Sequence, residues 1–185
     1  MKIDASLTTV RRRTDADLDA CVDLLREVYE HDGYPVSRPE RPAAWITPPT
    51  TVGAWVAERG GRPVGHVGPA GPREHDAAPG VWSAATGRDV GQAVMVNRLY
   101  VPPAARGHGL GAPLLAEAVA EAGVLGRRAV LDVAAHDTAA TALYERLRWH
   151  RTAAVAQEWG PHGTVAVHCC ATPGAHPPHP VRHPR

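Results

Sequence analysis

Apolar and polar residues alternate along the chain in patterns that predict seven strands and three main helices. The strands are expected at residues 8–14, 51–59, 62–68, 91–101, 127–135, 150–159 and 163–171, and the helices at 18–32, 110–125 and 137–147. Glycines join the second strand to the third and the sixth to the seventh, so both pairs are predicted hairpins. The pattern therefore predicts an α/β domain.

The predicted helices begin and end at residues that suit helix termini. Thr14 and Asp17 form a capping pair before the first helix, which Gly33 ends. The proline-rich segment 34–50 is predicted as a loop with one short helical turn near 43–46. Residues 69–91 are predicted as a long loop, and a loop of that length in a compact domain is usually functional or disordered.

Composition narrows the classes of protein that fit. A chain of 185 residues with 44% apolar residues predicts one domain, at residues 1–172, followed by a disordered tail rich in proline and histidine at 173–185. The net charge of +1 without a basic stripe argues against nucleic-acid binding. No apolar run is long enough to span a membrane, which predicts a soluble, cytoplasmic protein.

Cysteine and histidine usage predicts neither disulfides nor a metal site. The chain has three cysteines, Cys21, Cys169 and Cys170, which is an odd number without CxxC spacing. They are expected to be reduced and buried. No paired ligands stand at zinc spacing, so no metal is expected.

A glycine cluster lies between the fourth predicted strand and the second main helix. Main-chain N–H groups at a helix start have no intrahelical partner, and the helix dipole makes that end an anion site. Gly107, Gly109 and Gly111 let the main chain approach a phosphate, and Arg106 can add a guanidinium. The plainer interpretation is a tight turn with Arg106 in solvent.

Two motifs in the right order carry a family resemblance. The run Arg106-Gly107-His108-Gly109-Leu110-Gly111 resembles the R/Q-x-x-G-x-G/A pyrophosphate loop of the GCN5-related N-acetyltransferase (GNAT) superfamily, and the preceding RLYVPP resembles its central strand. DTAATALYERLRW, at 137–149, is similar to the later N-x-x-A-x-x-L-Y-x-x-x-G-F motif. As a weaker pattern of elements, the resemblance extends over 8–171.

The resemblance implies the fold and the cofactor. The fold would be a mixed, mostly antiparallel sheet of about seven strands, flanked by helices and splayed between its fourth and fifth strands, here 92–101 and 128–134. The pantetheine arm of acetyl-CoA would lie in that gap, with its pyrophosphate on the glycine loop. The reaction would be direct attack of a primary amine, on a small molecule or peptide, on the thioester.

Site residues follow from the matched motifs. The cofactor-binding residues implied are Leu99, Tyr100, Val101, Arg106, Gly107, His108, Gly109, Leu110, Gly111, Ala112, Asp137 and Ala140. A main-chain N–H near 99–101 is the expected oxyanion donor, because a bulge there frees amides from the ladder. Tyr144 matches the family tyrosine that gives a proton or hydrogen bond to the leaving sulfur. Tyr34 and Trp45 are expected acceptor-binding wall residues.

The chain departs from the family pattern at three places. Asp137 replaces the usual asparagine and can cap a helix but not donate an amide hydrogen bond. Arg148-Trp149 replaces the usual Gly-Phe. Met95 stands where many members carry the glutamate that acts as general base.

The general base is therefore open. Asn97 shares the strand face of Met95 and is the candidate for positioning a water. Glu74, His75 and Asp76 reach the site only if their loop folds over it. Without a base an acceptor of low pKa is favoured, because at pH 7 roughly a tenth of an amine of pKa ~8 is neutral, against about one in a few thousand at pKa ~10.4.

Two other functions use the same residues. A non-catalytic acyl-CoA-binding module would explain Met95. A dinucleotide-binding domain would use Gly107-x-Gly109-x-x-Ala112, with Asp132 in the place of a ribose-binding acid, but the surrounding hairpins do not suit it. The sequence leaves open the acceptor, the acyl chain length and whether the chain forms a homodimer.

Overall fold

The computed structural model describes residues 8–159 and 163–173, so most of the predicted tail, at 174–185, and the turn at 160–162 lie outside the described residues. The elements in chain order are β1 (Thr8–Arg12), α1 (Leu18–Asp32), α2 (Pro42–Ile46), β2 (Trp55–Arg59), β3 (Arg62–Val67), α3 (Ala77–Thr86), β4 (Ala93–Met95), α4 (Gly111–Val124), β5 (Arg128–Ala134), α5 (Thr138–Arg146), β6 (His150–Glu158) and β7 (Thr164–Ala171). No helix among them has the length and apolarity to cross a bilayer.

The strands form two sheets that meet at β4. One sheet has the order β1-β2-β3 and is antiparallel; the other has the order β4-β5-β7-β6, with β4 and β5 parallel and the other pairs antiparallel. We call residues 93–101, which begin with β4, the β4 segment. Single bridges, His66 to Tyr100 and Ala70 to Met95, connect β3 and its following loop to this segment. The predicted mixed, mostly antiparallel α/β fold is confirmed.

The β4 segment leaves β5 after a short parallel ladder. Residues 93–95 pair with 128–130, and the Val96 N–H donates to the Val130 carbonyl at 2.8 Å. No described main-chain hydrogen bond joins 97–101 to β5. The strand predicted at 91–101 was thus too long: a 3-10 turn occupies 90–92, and regular pairing ends at Met95. Main-chain pairing with β5 therefore ends at Val96, which leaves residues 97–101 unpaired on that side within the described part of the chain.

Helix α3 corrects the prediction of a continuous loop at 69–91. Asp132 of β5 accepts hydrogen bonds from the N–H groups of Ala77 and Ala78, at 2.8 and 2.9 Å, and so satisfies two free donors at the helix start. Trp82 and Ala78 pack the helix against β4, β5 and β7. Pro79 lies in the first turn, where its missing N–H costs nothing. The glycines and prolines of this segment therefore predicted a loop where the structure has a helix.

The remaining helices pack on the opposite face of the β4–β5 region or on the first sheet. Leu114, Leu115 and Ala118 of α4 join the largest cluster with Val94 and Leu131. Helix α1 packs through Cys21, Leu25 and Val28 against Val56, Ile46 and Tyr100. All three cysteines are buried free thiols, which confirms the prediction.

The turn before α1 is held by a buried carboxylate. Asp17 accepts hydrogen bonds from the Arg11 guanidinium at 2.7 and 2.8 Å and from the Thr14 N–H at 2.7 Å. The hydrogen bonds from Arg11 hold the pKa of Asp17 well below its usual range. Because the folded-state pKa is depressed, this contribution to stability is full above the unfolded pKa and is lost as the pH falls towards the folded value.

We therefore expect Asp17→Asn to lower the free energy of unfolding by about 1–3 kcal/mol at pH 7. The difference from wild type should shrink below pH ~4, where the unfolded carboxylate takes up its proton. Urea denaturation at both pH values measures this. The control is Asp23→Asn, which removes an exposed pair with Arg26 and should change little. A loss that did not depend on pH would mean that charge is unimportant at Asp17.

Candidate functional site

The glycine loop presents a run of free main-chain donors. Gly107 and Gly109 have φ of 76° and 71°, and α4 begins at Gly111. The N–H groups of 107–112 donate no hydrogen bond within the described part of the chain, and 106–109 are exposed. Six consecutive N–H groups beside the positive end of a helix dipole suit a diphosphate.

Side chains around the loop keep its shape. His108 turns back, with Nδ1 2.8 Å from the Arg106 carbonyl oxygen. Leu110 is buried, and Ala112 lies in the first turn of α4. A Cβ on Gly111 would stand 2.9 Å from a methyl of Leu143 on α5, so this glycine allows α4 and α5 to approach closely.

Arg106 forms an ion pair with Asp32, which the sequence did not predict. Its Nε donates to the Val101 carbonyl oxygen at 2.9 Å, and both terminal nitrogens pair with the Asp32 carboxylate at the end of α1. Hydrogen bonds from Arg106 lower the pKa of Asp32. A phosphate on this loop would therefore meet mainly main-chain donors, and it would share Arg106 with Asp32.

The segment after β4 contains a bulge. The Gly68 N–H donates to the Asn97 carbonyl and the main chain of Tyr100 pairs with that of His66, each at 3.0 Å, so three residue steps on one side face two on the other. The extra residue is Arg98, at φ 54°. Tyr100 thus has its N–H engaged, whereas those of Leu99 and Val101 have no acceptor among the described residues. Because successive N–H groups of an extended chain lie on opposite edges, those of Leu99 and Val101 lie on the edge away from β3, on the side of the gap left where pairing with β5 ends.

Tyr34 and Trp45 both lie at this bulge. The Arg98 guanidinium is 5.0 Å from the Trp45 ring centroid, and the rings of Trp45 and Tyr34 make an edge contact at 6.2 Å. Burial raises the pKa of Tyr34 to about 12, against the opposing effects of the Arg98 charge and main-chain amide. Two residues of the 34–50 segment thus lie beside the bulge.

The second motif forms α5 as its sequence indicates. Asp137 caps the helix by accepting from the Ala140 N–H at 3.0 Å, so this N–H is used within the helix. Tyr144 lies against Trp149, with ring centroids 5.9 Å apart. Burial raises the pKa of Tyr144 above its usual range, and the nearby Tyr34 and Asp137 add to the effect. Tyr34, Asp137 and Tyr144 therefore share one region.

The position of the usual glutamate holds no ionisable group. Met95 is 4% exposed and packs beneath α3 with Trp82. The Asn97 carboxamide oxygen accepts a hydrogen bond from Arg98. Asp76 accepts from the Arg73 N–H at 2.9 Å at the start of α3. The structure thus places Asn97 beside the bulge, but its oxygen is already engaged.

Sequence reasoning missed Asp32, His66 and Arg98 as residues that shape the site. Asp32 and His66 gave no signal, because their partners are distant in sequence. Arg98 gave one: it is the single charge in the apolar run AVMVNRLYV, at 93–101, and a charge in such a run must find buried partners. Its side chain is among the largest fully buried ones.

Comparisons with solved structures agree with the overall fold. The structure is similar to that of yncA from Salmonella typhimurium, solved with its cofactor acetyl-CoA, with a TM-score of 0.70, 20% identity and coverage of 95% of this chain and 99% of that one. It is also similar to the ribosomal-protein-alanine N-acetyltransferase from Brucella melitensis (TM-score 0.68, 21% identity, 89% and 98% coverage). A third similar structure is Arabidopsis thaliana NAA60 in complex with acetyl-CoA (0.69, 17%, 89% and 97%).

No curated protein matches the chain with significance by sequence. The sequence model of the acetyltransferase (GNAT) family, in contrast, matches residues 18–148, which include the capped first helix, the bulge, the glycine loop and α5. This span is well over half of the chain. The chain therefore belongs to the acetyltransferase (GNAT) family.

Proposed function

We propose that the protein is an acetyl-CoA-dependent N-acetyltransferase that acetylates a primary amine of a small molecule or peptide. The observation that carries the proposal is the run of six free N–H groups at 107–112 ahead of α4, close to the opening between the β4 segment and β5. Two of the similar structures contain acetyl-CoA, which supports the choice of this cofactor.

The residues of the loop fit the cofactor's pyrophosphate. The left-handed glycines Gly107 and Gly109 have no side chain between the main chain and solvent, and a Cβ on either would meet nothing within 4 Å of the protein. The space above them is therefore open to a ligand. Arg106 adds positive charge at the same place, although Asp32 offsets part of it.

The chemistry supplied by bound acetyl-CoA is an acetyl thioester, which a neutral amine converts to an acetamide with release of the CoA thiol. The N–H groups of Leu99 and Val101 are the donors that would stabilise charge on the carbonyl oxygen. Tyr144 carries a proton that its raised pKa keeps on the oxygen at neutral pH. It would donate a hydrogen bond to the leaving sulfur.

The acceptor amine must arrive neutral or lose its proton to water, since Met95 cannot accept a proton. This favours amines of low pKa, such as an α-amine, over polyamines and lysine side chains. Tyr34 and Trp45 would form the wall on which the acceptor packs.

One rival keeps a specific observation in its favour. Met95 in place of a carboxylate suits a non-catalytic acyl-CoA-binding module, which would bind acetyl-CoA without turnover. The dinucleotide alternative is disfavoured. Both carboxylate oxygens of Asp132 accept hydrogen bonds from the start of α3 and so are not available to bind a ribose.

Thermal unfolding with acetyl-CoA, free CoA or NADH tests cofactor binding. A ligand at 100 times its Kd adds about 2.7 kcal/mol, which should raise the Tm of a chain this size by roughly 5–10 °C. Both CoA species should produce the shift and NADH should not. Arg106→Ala should bind several-fold more weakly, whereas the matched control Arg127→Ala, beyond the far end of α4, should bind like wild type.

Turnover separates the enzyme from the binding module. Release of CoA thiol should be followed with a panel of amines that spans pKa ~8 to ~10.4, the range from α-amines to lysine-type amines. Faster acetylation of the low-pKa amines is the expected result. Binding without turnover on any amine would favour the binding module, and stabilisation by NADH alone would refute the cofactor assignment.

A further inference from the structure

We propose that Arg98 is a positioning residue: its buried side chain holds the bulge in the left-handed conformation that turns the N–H groups of Leu99 and Val101 towards the gap, and ties that bulge to the acceptor wall at Trp45. The inference rests on the proposed function. In the proposed reaction Arg98 touches neither acetyl-CoA nor the acceptor.

The first observation is the conformation itself. A residue with a Cβ rarely occupies the left-handed region, which glycine adopts without strain. Arg98 does so at φ 54°, with its side chain buried at 2% exposure. Such a conformation persists only where surrounding contacts over-determine it. The contacts made by Arg98 should therefore explain why the bulge is stable without glycine.

One contact holds the main chain. His66 Nδ1 lies 2.9 Å from the Arg98 carbonyl oxygen, while His66 Nε2 faces the Arg13 guanidinium at 3.1 Å. Burial lowers the pKa of His66 to about 3, so the imidazole is neutral near pH 7. With Arg13 as a donor to Nε2, the proton must sit on Nδ1 and be donated to Arg98. The ring also stacks on Tyr100, with centroids 5.1 Å apart.

Two further contacts hold the side chain. Arg98 Nε donates to the Trp45 carbonyl oxygen at 2.5 Å, and Nη1 donates to the Asn97 carboxamide oxygen. The planar guanidinium also covers the Trp45 ring. A lysine has three donors on a single nitrogen and no planar group, so it would not reach both acceptors and cover the ring together.

Charge pairing does not account for Arg98 among the residues that the structure describes. No described acidic side chain lies within salt-bridge distance of Arg98. An apolar residue would fill the space with less desolvation penalty. What the arginine adds is a rigid connection between the bulge and α2, which puts the oxyanion donors and the acceptor wall in a fixed relation.

The test compares Arg98→Ala with Arg98→Gly. Both remove the side chain, but only glycine tolerates the left-handed backbone. Arg98→Ala should lower kcat about 30-fold, because misplaced oxyanion donors cost up to 100-fold or more. Arg98→Gly should retain roughly 5–10 times the kcat of the alanine variant, since its bulge can keep its shape. The KM for acetyl-CoA should change little in both, and the KM for the acceptor should rise in both.

A purely structural role predicts a different result, namely lower Tm in both variants with kcat per folded molecule unchanged. That result, or equal loss of kcat in both, would overturn the proposal. If neither variant folds, Arg98→Lys keeps the charge and stem, and the proposal requires a lower kcat at unchanged acetyl-CoA KM.

If wild type turns over no amine, the proposed function fails. Crystal structures then decide the inference: a bulge kept in glycine but not in alanine supports it, and a bulge kept in both refutes it.

Discussion

Gly109→Ala is expected to weaken acetyl-CoA binding about 100-fold, because the added methyl group keeps the phosphate away from the main-chain donors and so removes a charge-assisted hydrogen bond. Gly109 has φ 71°, and no protein atom lies within 4 Å of a Cβ built there. The methyl group would therefore not clash within the free protein. It would project into the space in which the phosphate must approach the main-chain donors.

The matched control is Gly126→Ala. Gly126 has φ 65° and equally open surroundings, but it lies beyond the far end of α4. Both variants carry the same kind of backbone strain, so their Tm values should fall by similar amounts. Calorimetric titration with acetyl-CoA should find a weakened Kd only for Gly109→Ala. Equal affinity of the two variants would mean that the loop does not hold the cofactor.

The parts of the fold that were predicted correctly depend on local sequence pattern. Period-two and period-3.6 patterns located β2, β3, β5, β6, β7 and the three main helices, because each element buries one face of its own residues. The loop and α5 motifs are also local: glycines with positive φ and an aspartate cap are visible in a few consecutive residues. The geometry of the glycine loop follows from such residues.

The parts that were missed depend on partners far along the chain. Helix α3 is capped by Asp132, which is more than 50 residues away from Ala77, so the segment alone resembled a loop. The shortening of β4 has the same origin, since Tyr100 pairs with His66 across 34 positions rather than continuing along β5. A single-sequence pattern contains no information on such pairings.

The candidate site likewise has features that local sequence predicts and features that depend on distant partners. The main-chain donors at 107–112 were expected, whereas the pairing of Arg106 with Asp32 was not, because 74 residues separate the two. The bulge was expected from the resemblance, but its support by His66 and Trp45 becomes visible only once β3 and α2 are placed. The groups that would contact a ligand can be recognised from local sequence. The contacts that hold those groups in position join residues far apart in the chain.

Tyr144→Phe removes one hydroxyl and is expected to lower kcat about 100-fold, in the upper part of the range for a lost hydrogen bond to a developing negative charge. Tyr144→Phe keeps the ring that packs against Trp149, so folding and acetyl-CoA affinity should stay close to wild type. Stopped-flow or steady-state release of CoA thiol measures kcat, and titration measures the Kd. Tyr29→Phe, on α1 beside Arg38, is the control that removes a hydroxyl away from the proposed centre.

The pH dependence gives a sharper test of the same role. Burial raises the pKa of Tyr144, so the proton-bearing form persists to higher pH than in an unperturbed tyrosine. The wild-type kcat should therefore not fall on the alkaline side between pH 8 and ~10, the ordinary tyrosine pKa, and the deficit of Tyr144→Phe should be constant across that interval. A deficit that disappeared within that interval would contradict a role that depends on the proton of Tyr144. An unchanged kcat at every pH would remove Tyr144 from the mechanism and leave it as a core residue of α5.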